Sequence, residues 1–184
     1  MRKMSRKFRK IREDDLEMIM NWRMRPDITK YMYTDPKLTI EEQRKWFQKI
    51  STEDDIFYWI FEDRGRAMGL VSLVDWDKEN SIIHTGGYIA EKEGCSLQNI
   101  VNVNMNLYAY VFEVLEINKA AFEIMDNNKS QVQWMKRLGA TQEGILRQAI
   151  KKKGIYYDLY LMCFLKEEWS TIISKNHFER IEIE

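Results

Sequence analysis

The feature that most restricts the fold is a series of three strand-like segments, joined by short turns and followed by a helix and a fourth strand. The three segments, 56–62, 68–76 and 82–90, are rich in aromatic and β-branched residues. Short connections favour antiparallel neighbours, whereas the helical periodicity of residues 100–116 and the apolar run at 118–125 indicate a crossover to a parallel strand. The order predicts a mixed central sheet flanked by helices, of α/β (α+β) class.

Further helices are predicted on either side of these strands. The periodicity after Asp15 indicates an amphipathic helix that Pro26 ends, and Thr39 begins a second helix as its N-cap residue. Residues 127–138 predict a short helix ended by Gly139. All three helices need an apolar surface to cover, and the predicted sheet supplies it.

The chain length of 184 residues fits one compact domain. After the last helix, residues 143–150 and 155–165 predict a β-hairpin. We expect the folded domain to span residues 8–170, with a basic N-terminal tail at 1–7 and a charged C-terminal tail at 171–184.

Composition excludes several classes of function. Lysine plus arginine and aspartate plus glutamate number 29 each, so the chain lacks the basic excess that nucleic-acid binding requires. Cys95, Cys163, His84 and His177 show no metal-ligand spacing, and two isolated thiols suit a reducing compartment. No run approaches the roughly 18 apolar residues of a membrane span. We therefore expect a cytoplasmic protein without a metal, a nucleic-acid partner or a membrane segment.

Particular residues stand at the joints of the predicted elements. They are the segment 8–16, Asn21-Trp22-Arg23 with Pro26-Asp27-Ile28 and Tyr31-Met32, Glu41-Glu42-Gln43 with Trp46-Phe47, Glu143-Gly144-Ile145-Leu146-Arg147, Gly154, Tyr156, Asp158, and Glu168-Trp169. In this order and spacing, the chain resembles the GNAT acetyltransferases, specifically the branch containing ribosomal-protein alanine acetyltransferases and flagellar amino-sugar acetyltransferases.

The resemblance implies a single-domain GNAT fold, acetyl-CoA as co-substrate and an amine as acceptor. The Trp-Arg and second-helix signatures are most similar to enzymes of pseudaminic-acid synthesis. These enzymes acetylate the 4-amino group of a UDP-linked 4-amino-4,6-dideoxy sugar. Two alternatives stay open: a GNAT-fold binding module that has lost catalysis, and an acetyltransferase of protein N-termini. A homodimer is also left open.

The same resemblance implies where the cofactor binds. Two parallel strands would diverge at 87–90 and 120–125, and backbone N–H groups near Tyr88 to Ala90 would face the thioester carbonyl. The pyrophosphate would lie on the following loop and helix N-terminus. There the family's (Q/R)-x-x-G-x-(G/A) is replaced by Glu93-Gly94-Cys95-Ser96-Leu97-Gln98. The implied cofactor-binding residues are Ile89, Ala90, Gly94, Cys95, Ser96, Leu97, Gln98, Asn99, Asn127 and Ser130.

Candidate catalytic groups are few. Relatives often carry a tyrosine on the later helix that protonates the departing thiolate, but that position falls on Trp134 or Met135 here. Glu91, or a water chain past Tyr88, is the candidate base. No cysteine or serine is placed as an evident nucleophile, so direct attack by the amine is expected.

The acceptor would contact the first two helices and the segment between them. The implied substrate-binding residues are Trp22, Arg23, Met32, Tyr33 and Gln43. Packing is the competing interpretation for Trp22, Met32 and Tyr33, because large apolar side chains on amphipathic segments usually enter the core.

Overall fold

The computed structural model describes residues 6–93 and 95–184. The strands are β1 (Arg6–Lys10), β2 (Phe57–Asp63), β3 (Arg66–Asp77), β4 (Ile82–Ile89), β5 (Lys119–Met125), β6 (Thr141–Lys152), β7 (Ile155–Leu165) and β8 (Glu182–Ile183). The helices are α1 (Leu16–Met24), α2 (Pro26–Thr29), α3 (Ile40–Thr52), α4 (Leu97–Ala109), α5 (Lys129–Leu138) and α6 (Trp169–Lys175). A π-helical turn, Tyr110–Val114, continues α4.

The strands form one mixed sheet in the order β6-β7-β5-β4-β3-β2-β1-β8. Strands β2, β3 and β4 are the predicted antiparallel meander, and β4 pairs with β5 in parallel across the α4 crossover. Strands β6 and β7 form the predicted hairpin. The structure thus confirms the predicted fold class.

Side-chain alternation along the strands separates two apolar clusters on the two faces of the sheet. On one face, Ile60 and Leu70 pack with Leu16 and Ile19 of α1, and with the apolar side of α3. On the other face, a larger cluster joins the strands to α4, α5 and α6. We call these the α1/α3 face and the α4/α5 face.

Strands β4 and β5 diverge in the centre of the sheet. They pair only from Ile82 with Lys119 to His84 with Ala121. Beyond that point, β4 follows β3 and β5 follows β7. The divergence that the resemblance implied is present, and it leaves one edge of β4 open towards β5.

The segment expected to be a charged C-terminal tail instead belongs to the fold. It contributes most of α6 and the strand β8, which pairs in parallel with β1. The buried Asn106 amide donates to Glu179 O at 2.8 Å and accepts from Ile181 N at 3.1 Å. Trp59 Nε1 donates to Glu184 O at 2.8 Å. Side chains of the core therefore satisfy the backbone of this segment, which its own charged sequence does not indicate.

At the other end of the chain, the expected basic tail covers residues 1–7. Residues 1–5 lie outside the described part, and Arg6 and Lys7 belong to β1. Within the described ranges, the helices are too short or too polar to cross a membrane.

Candidate active site

A cavity of about 380 Å³ opens on the α1/α3 face, against the part of β4 that has left β5. It is lined by Ile19, Arg23, Met32, Pro36, Leu38, Glu42, Gln43, Trp46, Tyr58, Leu70, Ser72, Gly87 and Tyr88. Apolar walls with a few converging polar groups are typical of small-molecule sites.

Two polar atoms of the cavity residues are buried without a hydrogen-bond partner in the described part of the chain. One is Arg23 Nη1, and the other is the Tyr88 hydroxyl. Burial lowers the pKa of Arg23 and raises the pKa of Tyr88. The phenol therefore keeps its proton at neutral pH, and both groups are available as hydrogen-bond donors.

The structure brings three of the five expected substrate-binding residues to the cavity, namely Arg23, Met32 and Gln43. Tyr33 does not line it, since its hydroxyl donates to Glu123 on β5.

Trp22 also lies outside the cavity lining. Its Nε1 donates to Glu91 Oε1 at 2.8 Å, and its ring packs edge-on against Tyr88. Arg25 and Arg66 hold the same Glu91 carboxylate at 3.2 Å and 3.6 Å. The structure thus places Glu91, the candidate base, as an anchor between α1 and the loop after β4, away from the cavity.

The loop 30–36, which follows α2, forms one side of the cavity and is hydrogen-bonded to distant parts of the chain. Lys152 of the β6–β7 hairpin donates to the carbonyls of Thr29 and Met32 and pairs with Asp35 at 2.8 Å. Asn127 Nδ2, expected at the cofactor, instead donates to Lys30 O at 2.8 Å. Asn127 and Lys152 therefore position this loop.

The open edge of β4 supplies backbone groups towards the divergence. Ala90 N and Glu91 N both donate to Met68 O, at 2.8 Å and 2.9 Å. Backbone N–H and C=O groups point to alternate sides along a strand. The groups of Gly87 and Ile89 therefore point away from β3, towards the gap between β4 and β5. The expected N–H donor near Tyr88 is therefore Ile89 or Gly87, and the Ala90 N–H is already used within the sheet.

Helix α4 begins three residues before the predicted start, because Ser96 acts as its N-cap and accepts from Asn99 N at 3.1 Å. The Gln98 side chain donates to Asn102 Oδ1 and His177 O, both at 3.1 Å. The side chains of Ser96 and Gln98, which were expected to contact the cofactor, instead form hydrogen bonds within the protein. The unpaired backbone N–H groups of the first turn are the groups that this end of α4 offers to an anion.

The other residues expected near the cofactor have separate positions. Asn99 is buried and donates to Asp63 at 3.0 Å, Leu97 is exposed, and Ser130 donates to the neighbouring Asn128. Burial raises the pKa of the Cys95 thiol, which makes it a poor nucleophile. Gly94 lies outside the described residues.

The later helix offers no phenol at the position where relatives carry one. Met135 is packed in the core, and Trp134 is half-buried with its Nε1 lacking a partner among the described residues. An indole N–H donates a hydrogen bond but does not release a proton at neutral pH. Tyr58 and Tyr88 both line the cavity, and Tyr88 is the one that lies on β4, beside the divergence of β4 and β5.

Tyr58, Ser72 and Leu70 were not expected at the site. They share the α1/α3 face with Tyr88 by alternation, since Leu70 pairs with Tyr88 across the β3–β4 ladder. The sequence shows which residues alternate along each strand. It does not show which residues of β3 and β4 lie side by side, because that register depends on the turn between the strands.

Two neighbouring glycines in β4 should respond differently to substitution. A Cβ at Gly87 would lie 2.7 Å from Leu70 O, whereas one at Gly86 would meet only the Ser72 hydroxyl at 3.0 Å. We expect Gly87→Ala to lower the free energy of unfolding by about 1–3 kcal/mol, because backbone must move. Gly86→Ala should cost clearly less, because the hydroxyl can rotate. Urea unfolding of both variants measures the difference, and equal losses would contradict this packing.

Together these features define a class of protein. The sheet is mixed, its two central strands diverge, and a helix begins after the first of them. The cavity lies on the face of the sheet opposite to that helix. This is the architecture of the acyl-CoA N-acyltransferases. Residues 8–161 match the family model described as the acetyltransferase (GNAT) domain, and the chain belongs to this family. It is accordingly an acyltransferase that uses acetyl-CoA as co-substrate.

Individual relatives are distant. The uncharacterized N-acetyltransferase p20 of Bacillus licheniformis is 23% identical over 170 residues, which cover 88% of this chain and 93% of that protein. The putative ribosomal N-acetyltransferase YdaF of Bacillus subtilis is 31% identical over 106 residues, 57% of each chain.

Among solved structures, the spermidine N-acetyltransferase of Vibrio cholerae in complex with CoA and spermine superposes with a TM-score of 0.82 at 20% identity. The superposition covers 90% of this chain and 98% of that one. At this level of identity the likeness establishes the fold and leaves the acceptor open.

Proposed function

We propose that this acetyl-CoA-dependent N-acetyltransferase acetylates a small polar amine, with the 4-amino group of a UDP-linked 4-amino-4,6-dideoxy sugar as the best candidate. The observation that carries the proposal is the cavity beside the divergence of β4 and β5, in which Arg23, Gln43, Ser72 and Tyr88 converge. Its volume of about 380 Å³ lies in the range of small-molecule sites. Sugar hydroxyls and phosphate oxygens are suitable partners for these polar groups.

The chain has the backbone groups that acetyl-CoA needs. Ile89 and Gly87 on the open edge of β4 would hold the pantetheine arm, and the first turn of α4 behind Ser96 would hold the pyrophosphate. When bound there, the cofactor supplies an acetyl thioester that an amine can attack. In the first turn of α4, Ser96 accepts from the N–H of Asn99, whereas the N–H groups of Leu97 and Gln98 have no partner within the helix and fit the pyrophosphate.

Tyr88 is the group best placed to handle a proton. Tyr88 lines the cavity, its buried hydroxyl has no partner in the described part of the chain, and its raised pKa keeps it protonated. We assign it the role of hydrogen-bond and proton donor to the departing thiolate, and the proton that the acylated amine loses returns to the Tyr88 phenolate. Glu91 receives no base role, because Trp22, Arg25 and Arg66 already surround its carboxylate.

A second candidate acceptor is a protein N-terminus. The support for it is the identity of 31% to the putative ribosomal N-acetyltransferase of Bacillus subtilis. A cytoplasmic location suits either acceptor and the two free thiols, Cys95 and Cys163.

Release of the CoA thiol measured with three acceptors tests these proposals. The acceptors are the UDP-linked 4-amino sugar, spermidine, and a short peptide with a free N-terminal alanine or serine. We expect the nucleotide sugar to give the highest kcat/KM. Preference for the peptide would select the second candidate. Thiol release with none of them, despite binding of acetyl-CoA, would support a binding module and overturn the proposal.

A further inference from the structure

The cavity contains a buried cationic group with an unused donor. Arg23 Nη2 donates to Thr34 Oγ1 at 3.0 Å, whereas Nη1 is buried without a partner in the described part of the chain. Burying a guanidinium N–H without an acceptor is costly, and proteins normally pair such groups with a carboxylate, a phosphate or a carbonyl. Arg23 is also one of the residues that line the cavity, so a ligand bound there lies next to this side chain.

The surrounding acidic groups are already engaged. Asp35, the carboxylate of the neighbouring loop, is paired with Lys152 at 2.8 Å and Lys153 at 3.2 Å. Glu42, the carboxylate of α3 that lines the cavity, accepts from the N–H of Thr39 at 2.8 Å and from its hydroxyl at 3.0 Å. No carboxylate pairs with Arg23 within the described ranges.

The phenols facing Arg23 do not neutralise it. Tyr88 and Tyr58 line the same cavity, and burial raises the pKa of both, so both are uncharged at neutral pH. Arg23, Lys152 and Lys153 carry three positive charges at or near the cavity against the two carboxylates of Asp35 and Glu42, which leaves an excess of one positive charge. A guanidinium fork in such surroundings matches the paired oxygens of an oxyanion.

We propose that Arg23 binds an oxyanion of the acceptor, a phosphate or a carboxylate, and thereby selects anionic amines over polyamines. This inference rests on the proposed function, since it names what one residue of that acceptor site recognises. A polycationic acceptor would place ammonium groups beside an unpaired guanidinium, and like charges brought together in this way disfavour binding. The nucleotide sugar fits, because its diphosphate supplies the oxyanion.

The test compares Arg23→Met and Arg23→Lys with Arg44→Met, which removes the same charge from an exposed position on α3. Binding of UDP and of inorganic phosphate is measured by calorimetry in the presence of CoA. Turnover is measured with the UDP-linked 4-amino sugar, the same amino sugar without the nucleotide, an amino acid and spermidine. Thermal melting establishes that each variant is folded.

For Arg23→Met we expect a loss of about 10- to 100-fold in UDP binding and in kcat/KM for the anionic acceptor, without a comparable loss for the uncharged amino sugar. Arg23→Lys should lose less binding and less activity than Arg23→Met, because lysine keeps the positive charge but lacks the paired N–H donors of the guanidinium. If Arg23→Met fails to fold, the same comparison between Arg23→Lys and Arg44→Met decides. A loss confined to the amino acid would support Arg23 as an oxyanion site and identify the oxyanion as a carboxylate.

Equal behaviour of the Arg23 and Arg44 variants towards every anion, or preference of the wild type for spermidine, would overturn the inference. So would failure of the wild type to bind UDP or phosphate and to use the amino acid. These outcomes differ from failure of the proposed function, in which no amine is acetylated although binding of anions still depends on Arg23.

Discussion

The Tyr88→Phe variant is expected to lose about 100-fold in kcat while it binds acetyl-CoA as tightly as the wild type. Tyr88 lines the cavity, and its buried hydroxyl has no partner in the described part of the chain and keeps its proton because burial raises its pKa. Removing it takes away a proton donor without opening space, since the ring still packs against Trp22. Pre-steady-state and steady-state thiol-release assays measure the effect.

Tyr58→Phe is the matched control for this variant. Tyr58 lines the same cavity, but it lies on β2, and β3 separates it from the divergence of β4 and β5. We expect its loss in kcat to be much smaller. An unchanged kcat in Tyr88→Phe, or equal losses in both variants, would remove the phenol from the chemistry and leave proton transfer to solvent.

Arg9→Met is expected to lower the free energy of unfolding by about 3–5 kcal/mol, the largest effect on stability that we foresee. The buried guanidinium of Arg9 donates to both oxygens of Asp15, at 2.7 Å and 2.8 Å, and to Glu62 at 2.9 Å. Without Arg9, two carboxylates remain enclosed with no cation between them. Urea unfolding measures the loss.

The same pair makes stability depend on pH. Burial by itself would raise the pKa of Asp15, but the hydrogen bonds from Arg9 and from Arg12 N outweigh it and hold the pKa low. A lowered pKa in the folded state stabilises the protein above the ordinary aspartate pKa, about 4. This stabilisation disappears as the pH falls through the lower folded value. We therefore expect Arg9→Met to shift acid unfolding to higher pH.

Arg44→Met serves as the control for this variant, because Arg44 is exposed and lies 4.0 Å from Glu13. Such surface pairs contribute little to stability. If Arg9→Met unfolds at the same urea concentration and the same pH as Arg44→Met, the ion pairs of Arg9 with Asp15 and Glu62 do not stabilise the fold.

Most of the sheet could be predicted because its signals are local. The aromatic and β-branched runs, the short turns and the helical period between the fourth and fifth strands indicated the meander and the crossover. β8 could not be found in this way. It is two residues long, and the contacts that hold its segment come from Asn106 and Trp59, far away in sequence.

The site residues that could be predicted are those that occupy positions shared with the family. Arg23, Met32 and Gln43 were placed at the cavity by resemblance, whereas Ser72 depends on the β3–β4 register. Asn127 and Glu91 have residue types that suit cofactor binding and catalysis. Their partners, the Lys30 carbonyl and a set of arginine and tryptophan donors, lie on other elements. Spacing along the chain does not reveal such contacts.

Calorimetric titration of the purified protein with acetyl-CoA at moderate salt tests the assignment most directly. The altered loop before α4 is the part of the chain that departs furthest from its family, and cofactor binding depends on the backbone N–H groups that follow it. We expect saturable binding of one acetyl-CoA per chain with micromolar affinity. Absence of heat, confirmed by absence of a thermal shift, would contradict the assignment of this chain as a working acetyltransferase.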